Sequence, residues 1–536
     1  MSFRWNYGDV IEAMEIITPP KQAALIHGNR IINWEDMRRR SNNLAKNLLN
    51  NGIKVGDKIA FYMRNCPEYS EGINAAFKAR LTHVNVNYRY IDHELIYLLN
   101  NSDASVVIYQ AEFQTYVDKI RKQLPGVKHW LKVDDGKPSS YESMVESGEG
   151  TPIGLTRSPE DLLFLYTGGT TGMPKGVMWQ QHDLFTVLGA GGNWRIGIPP
   201  CRDIDELLER TKDQPRPVNL PLPPIMHGTG LLSAIGAMAS GGTCVTLPSQ
   251  SFRAEEALEA IDRHKVTATT IVGDAFARPM LEKLNDNPGR FDISSLKVMN
   301  SSGVMWTREV KAGLLEHHEN LILSDGFSSS EAIGLGTSMM TKDQEIDVAK
   351  FTLGPHCKVF NEALEEVEVE PGSNQSGMVA VCGHIPVGYY KDQEKTDQTF
   401  KFIDGVRYSI PGDWVRVESD GSLTLLGRGS NCINTAGEKV YPEEVEEALK
   451  YHESVADALV VGVDDERWGQ SITAVVQLHP GFQLDASEIK AFTRQHLAAY
   501  KIPKNILSKI DLERAPNGKA DYKAIREFAI SKITSL

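Results

Sequence analysis

Short apolar runs alternate with helical patterns along most of the chain. The runs include 106–109 (VVIY), 162–166 (LLFLY), 244–247 (CVTL), 269–272 (TTIV) and 296–299 (LKVM). Runs this short, rich in β-branched and aromatic residues, predict buried strands. Between them lie segments such as 253–264 (RAEEALEAIDRH), whose Ala, Leu and Ile recur at helical spacing. This alternation predicts α/β layering with largely parallel sheets. The pattern changes after Gly354. Polar and apolar positions now alternate, as in 364–370 (LEEVEVE). A hairpin is predicted next, because Asp420-Gly421 separates DWVRVES from SLTLLGR. With those two residues as the turn, opposed residue numbers add to 841, which sets Asp413 opposite Arg428 at the open end.

Beyond the hairpin the chain reads GRGSNCINTAGEKVYPEEVEEALK. Its Gly- and Asn-rich part predicts a loop. A helix is predicted from Tyr441-Pro442, with proline in the first turn, Glu443 and Glu444 at the positive helix end, and Val445, Ala448 and Leu449 on one face. Two strands (DALVVGV, SITAVVQL) and a helix from about Ser487 follow. The expected division is a large domain over 1–428 and a small α+β domain over 429–536, with the boundary at 428–431.

Length and charge narrow the function. At roughly 150 residues per domain, 536 residues allow three to four domain-sized units or fewer large ones. A net charge of −13 lacks the footprint of general nucleic-acid binding, so no nucleic-acid partner is expected. Six cysteines without a CxxC spacing predict unbridged thiols in a reducing compartment. The N-terminal stretch carries Asp9, Glu12 and Glu15 and does not read as a secretory signal. Segment 231–247 is short for a membrane span and is broken by Gly241-Gly242, so a buried helix followed by a strand is expected. A soluble, cytoplasmic protein without an integral membrane segment is the expectation; a homodimer is left open.

The chemistry concentrates at 166–177 (YTGGTTGMPKGV). A buried strand delivers a loop with Gly168, Gly169, Gly172 and Gly176, the hydroxyls of Thr167, Thr170 and Thr171, and the charge of Lys175. Glycines let backbone N–H groups approach an anion closely, so the segment reads as a polyphosphate cradle. It is not a Walker loop, because Lys175 lies between Pro174 and Gly176. No Ser-His-Asp or Cys-His constellation accompanies it.

This loop resembles the [YS]TSGTTGxPKG loop of the adenylate-forming (ANL) superfamily, which includes acyl-CoA synthetases, adenylation domains of peptide synthetases and luciferases. Gly168 replaces its serine. The resemblance runs through the whole chain in the family's order. It implies a large N-terminal domain of layered α/β sheets with a β-barrel-like subdomain, and a small mobile α+β C-terminal domain. LPPIMHGTG (222–230) is similar to the acyl-pocket segment and MNSSGVM (299–305) to the adenine-side strand end. DGFSSSE (325–331) is similar to [YF]GxTE, with Ser328 for Gly and Ser330 for Thr. YSIPGDW (408–414) is similar to [YF]xTGD, and ERAPNGKADYKAI (513–525) to PxxxxGKxxR. Two positions beyond Arg428, the family's hinge Asp or Lys is here Ser430.

The resemblance implies residue roles. Thr167 through Gly172, with Lys175, would hold the phosphates of ATP. Ser302, Gly303, Asp325, Gly326, Phe327 and Ser328 would line the adenine side, with Phe327 stacked on the base and Ser330 near the phosphates. Asp413 would bind the ribose and Arg428 ribose or phosphate. Thr170 and Glu331 would hold Mg²⁺. Met226, His227, Thr229, Asp274, Gly303 and Ile333 would form the acid pocket, with His227 also among the catalytic residues. Asp274 reads first as a helix cap and only then as a group that recognises a polar part of the substrate. Lys519 would be the catalytic lysine, and Gly437 would line a tunnel for the pantetheine of CoA.

The implied reaction has two steps. A carboxylate attacks the α-phosphate of ATP to give acyl-AMP and pyrophosphate; a thiol then displaces AMP. CoA is the expected thiol, since no carrier domain is appended, and a fatty or steroid side-chain acid is the expected substrate. Two alternatives stay open: loading of an amino or aryl acid onto a carrier protein, kept alive by Asp274, and a non-catalytic ATP-binding homologue.

Overall fold

The computed structural model describes residues 3–167, 173–193, 197–303, 306–342, 350–368, 375–435, 438–465, 469–497, 499–515 and 518–533. For a few of these, among them Arg428 and Ser430, it describes the backbone alone. Three sheets organise them, of sixteen, seven and five strands. The first has a parallel heart in which Ala23–His27, Thr243–Thr246, Val218–Pro221, Ala268–Ile271, Val298–Ser302 and Ile322–Ser329 are successive neighbours. From Ile322–Ser329 onward the pairing turns antiparallel through Ala332–Met340 and Lys350–Leu353 into the strands of 357–428. The alternating pattern seen after Gly354 falls within this antiparallel part.

The second sheet sets Leu162–Thr167 parallel to Thr82–Asn85, and antiparallel to Lys175–Gln180. Between these two sheets lies the helix Pro67–Lys78, every residue of which is buried. A helix between two sheets has no solvent face, so its charges need partners inside. Glu71 meets Arg40 at 2.6 Å, Lys78 meets Glu15 at 2.6 Å, and Glu68 meets Arg30 at 2.5 Å.

The third sheet contains Val455–Asp465 and Gly469–Leu478, the two strands expected in the C-terminal region. Both its faces are covered. Ala458, Val460, Ala474 and Val476 pack with Val445 and Leu449 of the helix Pro442–Lys450. Leu459, Val461 and Val475 pack with Ile525 and Ala529 of the helix Tyr522–Ile533. Burial on both faces makes ALVV a continuous apolar run rather than an alternating one.

Two local expectations need correction. Of LEEVEVE only Glu366–Val367 is a described strand; Leu364 lies in a tight turn with φ +62°. The hairpin does pair Asp413 with Arg428, but by a different route. Pairs near the turn add to 840, because the loop spans three residues with Gly421 left-handed at φ +81°. A bulge beyond Trp414, with Gly427 at φ +104°, restores the sum of 841 at the open end. A three-residue loop ending in a left-handed glycine fits the strand twist as well as a two-residue turn does.

The six cysteines are unbridged. Segment 231–247 is largely the buried helix Gly228–Ala239 and the strand Thr243–Thr246. Among the described residues no helix is long and apolar enough to cross a membrane.

Candidate active site

The phosphate-cradle segment is the connection of an antiparallel hairpin, with Thr167 opposite Lys175 at its base. A Walker loop instead leads from a strand into a helix. Gly168, Gly169, Thr170, Thr171 and Gly172 lie outside the described residues, as does Gly437. The base of the hairpin is fixed from below. A Cβ on Gly176 would meet the Tyr166 ring at 2.7 Å, so this glycine supports the strand rather than the cradle. Lys175 Nζ lies 2.5 Å from Asp392, which also caps the helix Gln393–Thr399.

Asn85, which the sequence reading missed, ties the hairpin to the expected acid pocket. Its Nδ2 donates to the carbonyls of Tyr166 (2.9 Å) and Met226 (2.7 Å), and its Oδ1 accepts the Tyr166 N–H at 2.7 Å. Each such buried bond contributes on the order of 1 kcal/mol, and leaving its partners unpaired would cost more. The available signal was a polar residue closing the otherwise buried strand Thr82–Asn85.

Met226 Sδ also accepts the Tyr88 N–H. His227 precedes the helix Gly228–Ala239, with Thr229 in its first turn. Burial first, then the charges of Lys519 and Arg89, pull the His227 pKa down to about 4. His227 is therefore neutral at pH 7 and offers a neutral hydrogen-bonding group, not a cation. The charges of Lys519 and Arg89 both act on His227. Arg89 was not anticipated; in sequence it is one arginine among many. It also lines a cleft of ≈ 840 Å³ with Arg64, Tyr88 and Pro224. That cleft adjoins the cluster but touches none of the expected site residues.

The expected metal ligand Glu331 lies on the turn between Ile322–Ser329 and Ala332–Met340. Its residues are held individually. Ser328 Oγ accepts the Gly334 N–H at 3.0 Å, so the serine that replaces glycine folds back onto its own turn. The Ser330 carbonyl accepts Trp179 Nε1–H at 2.9 Å, and the Glu331 carbonyl accepts the Ser409 hydroxyl at 2.6 Å. Glu331 Oε1 accepts the Tyr389 hydroxyl at 2.8 Å. Its Oε2 has no partner among the described residues, which leaves a fixed, hard oxygen donor for a cation. Ile333 is half-buried against the core.

Ser302 Oγ donates to the Gly326 carbonyl at 2.9 Å. Gly303 adopts φ +97°, and a Cβ there would approach only Val272, at 3.8 Å, so the backbone faces open space. Phe327 is 7% exposed and packs against Phe351, so most of its ring already belongs to the core. The Asp325 carboxylate is buried and paired with Lys311. Asp413 is 8% exposed and lies opposite Arg428 in the register.

Asp274 is not the cap residue itself. Gly273 holds the cap position of the helix Asp274–Asp286, and Asp274 is its first residue. Its carboxylate accepts the Thr307 N–H (3.0 Å) and hydroxyl (2.8 Å) and pairs with Arg278 at 3.1 Å. It pins 307 to the helix and is not a loose acid in a pocket.

One His/Asp/His group with metal-ligand spacing lies elsewhere, at His182, Asp183 and His384. His182 Nδ1 accepts the Trp5 N–H, and His384 Nδ1 bonds Asp183 at 2.7 Å. This group therefore links the N-terminal segment, the helix Gln181–Val187 and the loop after Ser376–Cys382.

The model of the AMP-binding enzyme family matches residues 16–390, and that of the AMP-binding enzyme C-terminal domain matches 444–519. A 3-oxocholest-4-en-26-oate–CoA ligase of Rhodococcus rhodochrous is 39% identical, over 97% of this chain and 95% of that one. A medium/long-chain-fatty-acid–CoA/3-oxocholest-4-en-26-oate–CoA ligase of Mycolicibacterium smegmatis is also 39% identical, over 97% and 95%. The solved structure of ATP-bound MatB from Rhodopseudomonas palustris superposes with a TM-score of 0.82 at 22% identity, over 98% and 99% of the two chains. The chain belongs to the AMP-binding enzyme family, the adenylate-forming acyl-CoA synthetase family that its motifs resemble. It shares that family's fold of a large N-terminal and a smaller C-terminal α/β domain.

Proposed function

We propose that this enzyme is an acid–thiol ligase that activates a hydrophobic carboxylic acid with ATP and transfers it to CoA. Acyl-AMP is the intermediate, and AMP and pyrophosphate are the products. The carrying observation is the match of both family models, over 16–390 and 444–519, on a chain whose Asn85 ties the hairpin base at Tyr166 to Met226. An oxide leaving group must be made expellable, and the enzyme does so by aligning carboxylate and α-phosphate while cations offset the charge that develops. Lys519 serves this first step. Thr167–Gly172 and Lys175 hold the phosphates, Asp413 and Arg428 the ribose, and Ser302, Gly303, Gly326 and Phe327 the base. Lys175 exchanges Asp392 for phosphate oxygens.

Mg²⁺ fits Glu331, which is fixed by Tyr389 and keeps a second oxygen; Thr170 would supply the other protein ligand. When bound, the ion neutralises phosphate charge. The small domain, 429–536, turns about Gly429–Asn431 between the steps and brings Gly437 to the pantetheine of CoA. A pivot needs tolerant backbone more than a particular charge, which Gly429-Ser430-Asn431 provides. An acidic chain of unbridged thiols, acting on ATP and CoA, belongs in the cytoplasm.

Steroid side-chain and medium- to long-chain fatty acids are the substrate class, because relatives at 39% identity over nearly the whole chain carry those names. The arrangement around Asp274 speaks against an amino-acid substrate, since both its oxygens are engaged. AMP release tests the reading directly. With CoA, 3-oxocholest-4-en-26-oate and C10–C18 fatty acids are expected to give turnover at least about 10-fold above aryl and amino acids, the scale of a few buried methylenes. Turnover that does not depend on CoA, or that prefers amino acids, would favour the carrier-loading alternative.

A further inference from the structure

We propose that Arg514 is a positioning residue for Lys519: anchored on Asp457, its guanidinium clips the backbone just before the lysine and fixes where the ammonium reaches. This rests on the reading that Lys519 serves adenylation. Lys519 is exposed and ends a tight turn. The Ala515 N–H donates to the Lys519 carbonyl at 2.9 Å, and the Gly518 N–H to the Ala515 carbonyl at 2.7 Å. Gly518 adopts φ +74°, so the turn needs a residue without a Cβ. Arg514 holds this turn to the sheet. Its Nε and Nη2 donate to the two carboxylate oxygens of Asp457 at 2.6 and 2.9 Å, and its Nη1 donates to the Gly518 carbonyl at 3.3 Å. The planar fork of arginine makes this three-point contact, which a lysine cannot reproduce.

A second layer backs the clip. Glu446 lies buried behind it on the helix Pro442–Lys450. Its oxygens accept the Val460 N–H at 2.9 Å and the Tyr522 hydroxyl at 3.2 Å. Lys450 and Arg514 face it as cations, while Glu443 faces Tyr522. Lys450 is also paired with Glu447 at 2.9 Å and lies 3.9 Å from Asp457. Burial dominates over both cations and lifts the Glu446 pKa to about 7. When Glu446 is ionised its charge stabilises the buried end of Arg514; when it is protonated that support is withdrawn. The lysine turn is therefore held most firmly above neutral pH and loosens as pH falls through about 7.

The test compares Arg514→Ala, Arg514→Lys, Asp457→Asn and Glu446→Gln with wild type in the full-length enzyme, with Lys519→Ala alongside. Acyl-adenylate formation and thioester formation from supplied acyl-AMP are measured separately. Arg514→Ala and Asp457→Asn are expected to lower the adenylation rate by about 10- to 100-fold, the range for an ångström-scale misplacement of a reacting group. The KM for ATP and acid and the thioester step stay within about twofold of wild type, as for a group acting only on the adenylation transition state. Arg514→Lys recovers part of the loss. The fall of the wild-type adenylation rate below pH 7 disappears in Glu446→Gln. Equal losses in both half-reactions together with a lower melting temperature would show a merely structural role and overturn the proposal, as would unchanged adenylation in Arg514→Ala. If Lys519→Ala itself spares adenylation, the fault lies in the reading of Lys519; if it abolishes adenylation while Arg514→Ala does not, the clip alone fails.

Discussion

Replacing Lys519 by Ala is expected to lower acyl-adenylate formation by about 100-fold or more and to leave thioester formation from supplied acyl-AMP within about twofold of wild type. The first figure follows from removing a positioned cation from a site where negative charge develops. The second follows because the thiol step makes no new demand on the α-phosphate. Pyrophosphate release with acid but no CoA reads the first step; acyl-CoA formation from synthetic acyl-AMP reads the second. The variant also relieves one of the two charges acting on His227. Its pKa then rises from about 4, but burial is the larger cause and keeps it below 6.5. His227 thus stays neutral at pH 7 in both proteins, and the loss cannot be assigned to a newly charged imidazole. Equal loss in both half-reactions would overturn the division of labour between the two orientations of the small domain.

What the sequence disclosed followed from how local each signal was. Buried strands, the helix beginning at Pro442 and the family's motifs are written in neighbouring residues, and they stand as expected. The facing of Asp413 and Arg428 emerged from counting across a turn, although a three-residue loop and a bulge compensate each other to produce it. The residues that hold the site together were not legible. Asn85 joins Tyr166 and Met226 across 81 and 141 residues of chain. Tyr389 reaches Glu331 across 58, and Arg514 reaches Asp457 across 57. Each is an ordinary polar residue until tertiary packing gives it a partner. Asp274 read as a cap or a pocket residue; the cap position itself fell one residue earlier, on Gly273, a difference that only the backbone decides.

Glu331→Gln is expected to reduce adenylation about 100-fold at limiting Mg²⁺ and to raise the Mg²⁺ concentration for half-maximal rate about 10-fold, the scale on which loss of one charged oxygen ligand or its support acts. The substitution keeps the side chain's shape and an oxygen able to accept the Tyr389 hydroxyl, so the turn between Ile322–Ser329 and Ala332–Met340 is not disturbed. Its carbonyl contact with Ser409 and the neighbouring bond from Trp179 are backbone-directed and survive as well. Charge is thus the main quantity changed, and a rate deficit that shrinks as Mg²⁺ is raised identifies its role. Tyr389→Phe separates charge from orientation. It leaves the carboxylate in place but releases one oxygen, and its effect should be about 10-fold or less, the range for one hydrogen bond to a charged group. A wild-type Mg²⁺ requirement in Glu331→Gln would remove the carboxylate from the metal site and leave the turn as a structural element beside the nucleotide.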